Sequence, residues 1–139
     1  MRTLKSPIIV DTNIIFSALL RNQTKFTEVL LSNEHEFFIC EMVLVELFKY
    51  KEKITRLSGL SEDEVITLFQ TLLKTLHLYK EELISFENRQ LAYRLCHDID
   101  KNDTAHVALT LELNGLLWTG DKALKDGLLK KGFEQFFDY

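Results

Sequence analysis

Proline is nearly absent from this chain. Pro7 is the only one, and five glycines complete the stock of backbone punctuation in 139 residues. That leaves no material for a Pro-rich spacer or a Gly-rich linker, and disorder is not expected beyond residues 1–5. Cysteine is scarce too. Cys40 and Cys96 stand alone, without C-x-x-C spacing, and read as ordinary thiols of a reducing compartment. No apolar run approaches the roughly 18 residues of a membrane span. The first apolar stretch is broken by Asp11, unlike a secretory leader, so a cytoplasmic protein with no membrane partner is expected. A basic excess is also missing: 17 Lys and Arg stand against 21 Asp and Glu, a net charge of −4. This argues mildly against a general nucleic-acid binder, unless cations bind or basic residues cluster on one face. A G-x-x-x-x-G-K phosphate loop is lacking, which removes the P-loop nucleotidases.

What is present is an ordinary globular composition, 46% hydrophobic and 27% charged, at a length that fits a single domain over 1–139. Ile8-Ile9-Val10 reads as a strand buried on both faces, ended abruptly by Asp11. An unpaired carboxylate costs several kcal/mol to desolvate, so Asp11 must face solvent, a cation or a donor at the strand's carboxyl end. In open α/β sheets that edge is where ligands bind. Helices are expected from residue 14 and over 25–33, a strand at 37–40, and a long helix over 41–57. Ser61 and Glu64 form a capping box that opens a helix over 62–76. A brief strand at 83–86 and a helix over 88–97 precede the acidic loop 98–103. Helix 104–114 follows, with Gly115 in the C-cap position, then an apolar strand 116–119, a helix 122–130 and a last strand 133–137. Strands alternating with helices imply a parallel sheet of the α/β class.

Four carboxylates stand where folding alone does not need them. Asp11 and Asp121 each end a short apolar strand, Asp103 opens a helix, and Glu46 borders the apolar stripe of its helix. Each has a bland alternative: an N-cap for Asp11 or Asp103, a turn for Asp121, a Lys49 partner for Glu46. Asp98 reads as a solvated loop charge. Together the four are harder to dismiss, because converging carboxylates repel unless cations hold them. Oxygen ligands without a Cys or His cluster favour Mg²⁺ or Mn²⁺. His35, His77, His97 and His106 lack zinc spacing. His97 and His106 flank the acidic loop and could support the ligands from behind, though a structural role suits them better.

These residues bring the chain to a family. Val10-Asp11-Thr12-Asn13 after a buried strand, Val45-Glu46 in a helix, Asp100-Lys101-Asn102-Asp103 before Val107-Ala108-Leu109, and Leu117-Trp118-Thr119-Gly120-Asp121-Lys122 occur in order along nearly the whole chain. The pattern resembles the PIN-domain ribonucleases, which include the toxins of VapC-type toxin–antitoxin pairs. The resemblance implies a three-layer α/β/α fold, with a mainly parallel sheet of about five strands and helices on both faces. It places catalytic, metal-binding roles on Asp11, Glu46, Asp103 and Asp121, with Asp100 as a candidate fifth ligand and Asn13 and Thr119 in support. The implied activity is Mg²⁺- or Mn²⁺-dependent endonucleolytic hydrolysis of single-stranded RNA by an activated water, leaving a 5′-phosphate and a 3′-hydroxyl. The implied partners are RNA, an antitoxin protein and a second copy of the chain. Lys49, Lys51, Lys53 and Arg56 near Glu46, and Lys122, Lys125, Lys130 and Lys131 after Asp121, could track a phosphate backbone or simply form solvated faces. Phe16, Phe26 and Phe48 could face a partner or the core.

Two other readings compete. One is a non-catalytic module of the same fold that binds RNA or assembles a complex; unlike the enzyme, it would not need to bind Mn²⁺. The other is an aspartyl-phosphate phosphotransferase. That chemistry expects a second Asp two residues after Asp11, and the position is Asn13.

Overall fold

The computed structural model describes residues 6–21, 25–32 and 34–138; the expectation for residues 1–5 lies outside them. Strand β1 (Ile8–Val10) is buried at every position. The two-residue period of a strand explains its composition. Ile8 and Val10 enter the core on one face of the sheet and Ile9 enters the core on the other. Then come α1 (Thr12–Arg21), α2 (Lys25–Leu31), β2 (Phe37–Cys40), α3 (Glu41–Lys49), α4 (Lys51–Ser58), α5 (Glu62–Leu73) and β3 (Leu76–Tyr79). After a 3₁₀ turn at Glu81–Leu83 follow α6 (Phe86–Cys96), a second 3₁₀ turn at Lys101–Asp103, α7 (Thr104–Leu113), β4 (Leu116–Trp118) and α8 (Lys122–Lys130).

The four strands are parallel, in the order β3-β2-β1-β4. Helices α1 to α5 pack with Ile8, Val10, Phe37, Ile39 and Trp118 on one face. Helices α6 to α8 pack with Ile9 and Leu117 on the other. The result is the three-layer α/β/α arrangement. The chain builds outward from β1 through β2 to β3, then returns to place β4 on the free side of β1. The carboxyl ends of β1 and β4 therefore form the point where strand order reverses, the usual ligand crevice of such sheets.

Several elements differ from the sequence reading. The long helix over 41–57 is two helices, because Tyr50 leaves helical geometry at φ −106° and ψ 16°. Its ring packs edge-on against Phe16 at 5.8 Å, and beyond the break Ile54 enters the core that α1 shares. The third strand is Leu76–Tyr79, not 83–86. It is an edge strand with His77 and Leu78 exposed, so it lacks the continuous apolar run that marks β1, β2 and β4. The helix over 62–76 accordingly stops at Leu73. The capping box is present, with the Glu64 N–H donating to Ser61 Oγ and the Ser61 N–H to Glu64 Oε1, both at 3.1 Å. The last strand shrinks to one parallel bridge between Leu117 and Phe136, so among the described residues the expected five strands are four and a bridge.

Gly115 is not the helix cap. Asn114 takes the left-handed conformation, φ 50° and ψ 46°. Gly115 is needed for space: a Cβ there would lie 2.4 Å from the Pro7 carbonyl oxygen, which accepts the Leu116 N–H at 2.8 Å. Backbone cannot yield as a side-chain tip can. Gly115→Ala should force the starts of β1 and β4 apart and cost about 1–3 kcal/mol, measured as a lower urea midpoint. An unchanged midpoint would show that this approach is not needed.

Candidate metal centre

The crevice between β1 and β4 is acidic because both strands run straight into an aspartate. The Asp11 N–H donates to the Trp118 carbonyl oxygen at 3.2 Å, tying the two strand ends together. Asp11 Oδ1 accepts the Ile14 N–H at 3.1 Å, and Asp121 Oδ1 accepts the Leu124 N–H at 3.0 Å. Both aspartates therefore cap the helices that follow them. For Asp11 that is the bland reading; Asp121 caps a helix where only a turn was expected. Neither role excludes a ligand, since each cap engages only one carboxylate oxygen. Asp103 precedes α7 in cap position yet makes no side-chain cap bond. Its carboxylate is left for the crevice.

The walls come from three further segments. Asp100 starts the second 3₁₀ turn and accepts the Asn102 N–H at 3.0 Å. Glu46 reaches across from α3, where its Oε1 accepts the Thr12 hydroxyl at 2.9 Å. Asp11, Thr12, Asn13, Met42, Glu46, Asp100, Asn102, Asp103, His106 and Asp121 surround a cavity of about 150 Å³. Carboxylate oxygens of Asp100, Asp103 and Asp121 lie within 4.8 Å of one another. Two oxygens on opposite sides of an Mg²⁺ ion stand about 4.2 Å apart, so small side-chain adjustments bring these groups to one ion.

The electrostatics are those of carboxylates gathered together and partly withdrawn from water. Burial, followed by the charges of Asp100, Asp11, Asp121 and Glu46, pushes the Asp103 carboxyl up to about 7. Burial also raises Asp11, opposed first by a hydrogen bond from the Thr119 hydroxyl. Burial lowers His106 to about 4, so its imidazole is neutral at pH 7. Its Nδ1 is buried and has no hydrogen-bond partner among the described residues. An all-oxygen donor set that repels itself, beside a neutral imidazole, fits a hard divalent cation.

A protein-family model described as the PIN domain matches residues 9–136. The chain belongs to the PIN-domain family. No curated protein matches its sequence. Among solved structures it is similar to a chain in the crystal structure of VapBC2 from Rickettsia felis bound to a DNA fragment from their promoter. Identity is 18%, the TM-score is 0.63, and the match covers 86% of this chain and 92% of the other. At that identity the likeness concerns the fold.

Within this PIN domain the other residues marked by sequence fall in different places. Thr119 holds Asp11 and also accepts the Asp121 N–H at 3.1 Å. Asn13 is shared between the cavity and an adjoining groove lined by Phe16, Glu46, Tyr50 and Lys53. Lys49 lies over the Tyr50 ring, and Lys122 is exposed beside Asp121. Lys125 is drawn away, to Asp138 at 3.2 Å and the Phe136 ring. Lys51 pairs with Glu62. Asp98 is not merely solvated: it pairs with Lys131, outside the cavity. Phe26 packs edge-on against Trp118 at 5.9 Å, Phe16 borders the groove, and Phe48 is exposed. The sequence reading missed Met42 and Asn102, and it preferred a structural role for His106, which lines the cavity. His106 sits three residues after Asp103, one helical turn on, which is the signal that could have found it.

Proposed function

We propose that this PIN domain is a metal-dependent endoribonuclease that hydrolyses single-stranded RNA. The observation that carries the reading is Asp103: uncapped, partly buried, and pushed up to about 7 in the company of four other carboxylates. A fold has no stability reason to gather such charge. Asp11, Asp103 and Asp121, with Glu46 and Asp100 alongside, would hold Mg²⁺ or Mn²⁺. Bound there, the ion supplies a water of lowered pKa and neutralises charge on the phosphoryl oxygens. Thr119 and Thr12 fix the carboxylates of Asp11 and Glu46 by hydrogen bonds, which lowers the reorganisation needed at reaction. Attack by water on phosphorus expels the 3′-oxygen, giving a 5′-phosphate and a 3′-hydroxyl, and the ribose 2′-hydroxyl takes no part. Lys53, Lys49 and Lys122, near the ends of the crevice, supply charge for the flanking phosphates.

The reading extends to a toxin held by an antitoxin in the cytoplasm. Its support is the likeness in fold to VapBC2, the exposed Leu57 in the Glu46 groove and the exposed Phe48 in a second, apolar groove that shares Ile54, surface of the kind that a partner covers. Incubation with RNA oligonucleotides in Mn²⁺ should give products with 5′-phosphates, and EDTA should stop the reaction. Cleavage that persists in EDTA, or 2′,3′-cyclic phosphate ends, would refute the mechanism.

A further inference from the structure

Helix α6 buries Ala92 and Cys96 against α7 and α8 and turns an unusual face outward. Phe86 is 64% exposed and Tyr93 54% exposed. At 1.5 Å rise per residue they lie about 10 Å apart along one side of the helix. Arg89, Gln90 and Arg94 line a shallow surface trough with them, about 590 Å³ in volume. His97 extends the stripe by one more turn, stacked on Tyr93 at 5.3 Å and 23°. No acidic residue lies within the stripe; Glu87 only flanks it. Among the described residues, neither Arg89 nor Arg94 forms an ion pair. Large aromatic rings in water, between two guanidiniums, on a protein of net charge −4, are not explained by packing.

We infer that this face is a docking platform for the single-stranded RNA substrate, a reading that rests on the ribonuclease assignment. Bases stack on exposed aromatic faces whatever their sequence, and guanidiniums pair with the phosphates between them. The placement also serves the chemistry. The helix ends at Cys96, whose carbonyl oxygen accepts the Asp100 N–H at 2.9 Å, so the C-terminal end of the stripe lies beside the segment that walls the acidic crevice. Charge separates this occupant from a second copy of the chain. A two-fold contact of this face with itself would set Arg89 and Arg94 against their own copies, whereas a polyanion complements them.

The test is fluorescence anisotropy with a short labelled single-stranded RNA in EDTA, where no turnover occurs. The Phe86→Ala/Tyr93→Ala double variant should bind about 10-fold more weakly or worse with the same salt dependence. The Arg89→Ala/Arg94→Ala variant should also bind more weakly, and its slope of log affinity against log salt should fall by about 1.4. All four side chains are outside the core, so melting temperatures should not move. A duplex of the same sequence should bind less well than the single strand, because its bases are already stacked. Wild-type affinity in both double variants overturns the proposal. So does a wild-type dimer that both variants convert to monomer without loss of RNA affinity. Binding that responds as expected, with no cleavage in Mn²⁺, would leave the platform standing and remove the nuclease reading. Cleavage with kcat/KM unchanged in both variants would do the reverse.

Discussion

Asp103→Asn is expected to stop RNA hydrolysis and, in the same preparation, to raise the melting temperature of the metal-free protein at pH 8. The amide is nearly isosteric, and Asp103 makes no cap bond that the change could break. What it removes is a charge that burial and four neighbouring carboxylates oppose. Raising a carboxyl from near 4 to about 7 would be worth about 4 kcal/mol if the group were fully shielded. Asp103 is partly solvated, and screening reduces this to about 1–2 kcal/mol, or roughly 3–8 °C. The sign follows from linkage. The folded protein holds the Asp103 proton more tightly than the unfolded chain does, so wild-type stability from this group is present below about pH 4 and lost as pH rises through about 7. The advantage of the variant should therefore be full at pH 8 and vanish at pH 4. Saturating Mn²⁺ should shrink or reverse it, because the wild type gains RT ln(1 + [L]/Kd) and the variant gains less. Turnover should fall about 100-fold or more, while Asp98→Asn, outside the cavity, should leave turnover intact. A lower melting temperature for Asp103→Asn in EDTA, or wild-type turnover, would show that the carboxylates do not act as one site.

Mn²⁺ binding should strengthen about 100-fold between pH 5 and pH 8. A ligand must be deprotonated to bind metal, and a carboxyl titrating at about 7 is about 99% protonated at pH 5 by the ordinary titration relation. Near pH 6, calorimetry in buffers of different ionisation enthalpy should detect close to one proton released per ion bound. His106 does not confuse the window, because burial keeps its pKa near 4. Asp103→Asn should bind more weakly and lose both the pH dependence and the proton release. An affinity that is flat from pH 5 to pH 8 would mean that Asp103 lies outside the metal's coordination.

Much of this was legible locally. Ile8-Ile9-Val10 and Leu116-Leu117-Trp118 could be read as strands covered on both sides because an unbroken apolar run has few other uses at that length. The carboxylates that end them stood out for the same reason. The break at Tyr50 left no such mark, since the apolar stripe continues through it. Strand β3 was hidden because an edge strand needs apolar residues on only part of its surface. Lys125 could be placed near Asp121 by sequence, but its attachment to Asp138 depends on how the segment after α8 returns along β4.

By itself, then, the sequence determined the α/β class, the strand ends that carry Asp11 and Asp121, and the Ser61–Glu64 capping box, because these depend on residues within one or two turns of each other. Only the tertiary structure decided the state of Asp103. In its own segment that residue is a candidate N-cap like many others. Its pKa near 7 comes from burial and a through-space sum over Asp100, Asp11, Asp121 and Glu46, and three of those four groups are distant in sequence. The same holds for the outward face of α6. Its residues are ordinary in sequence, and exposure is settled only when Ala92 and Cys96 choose the side that packs.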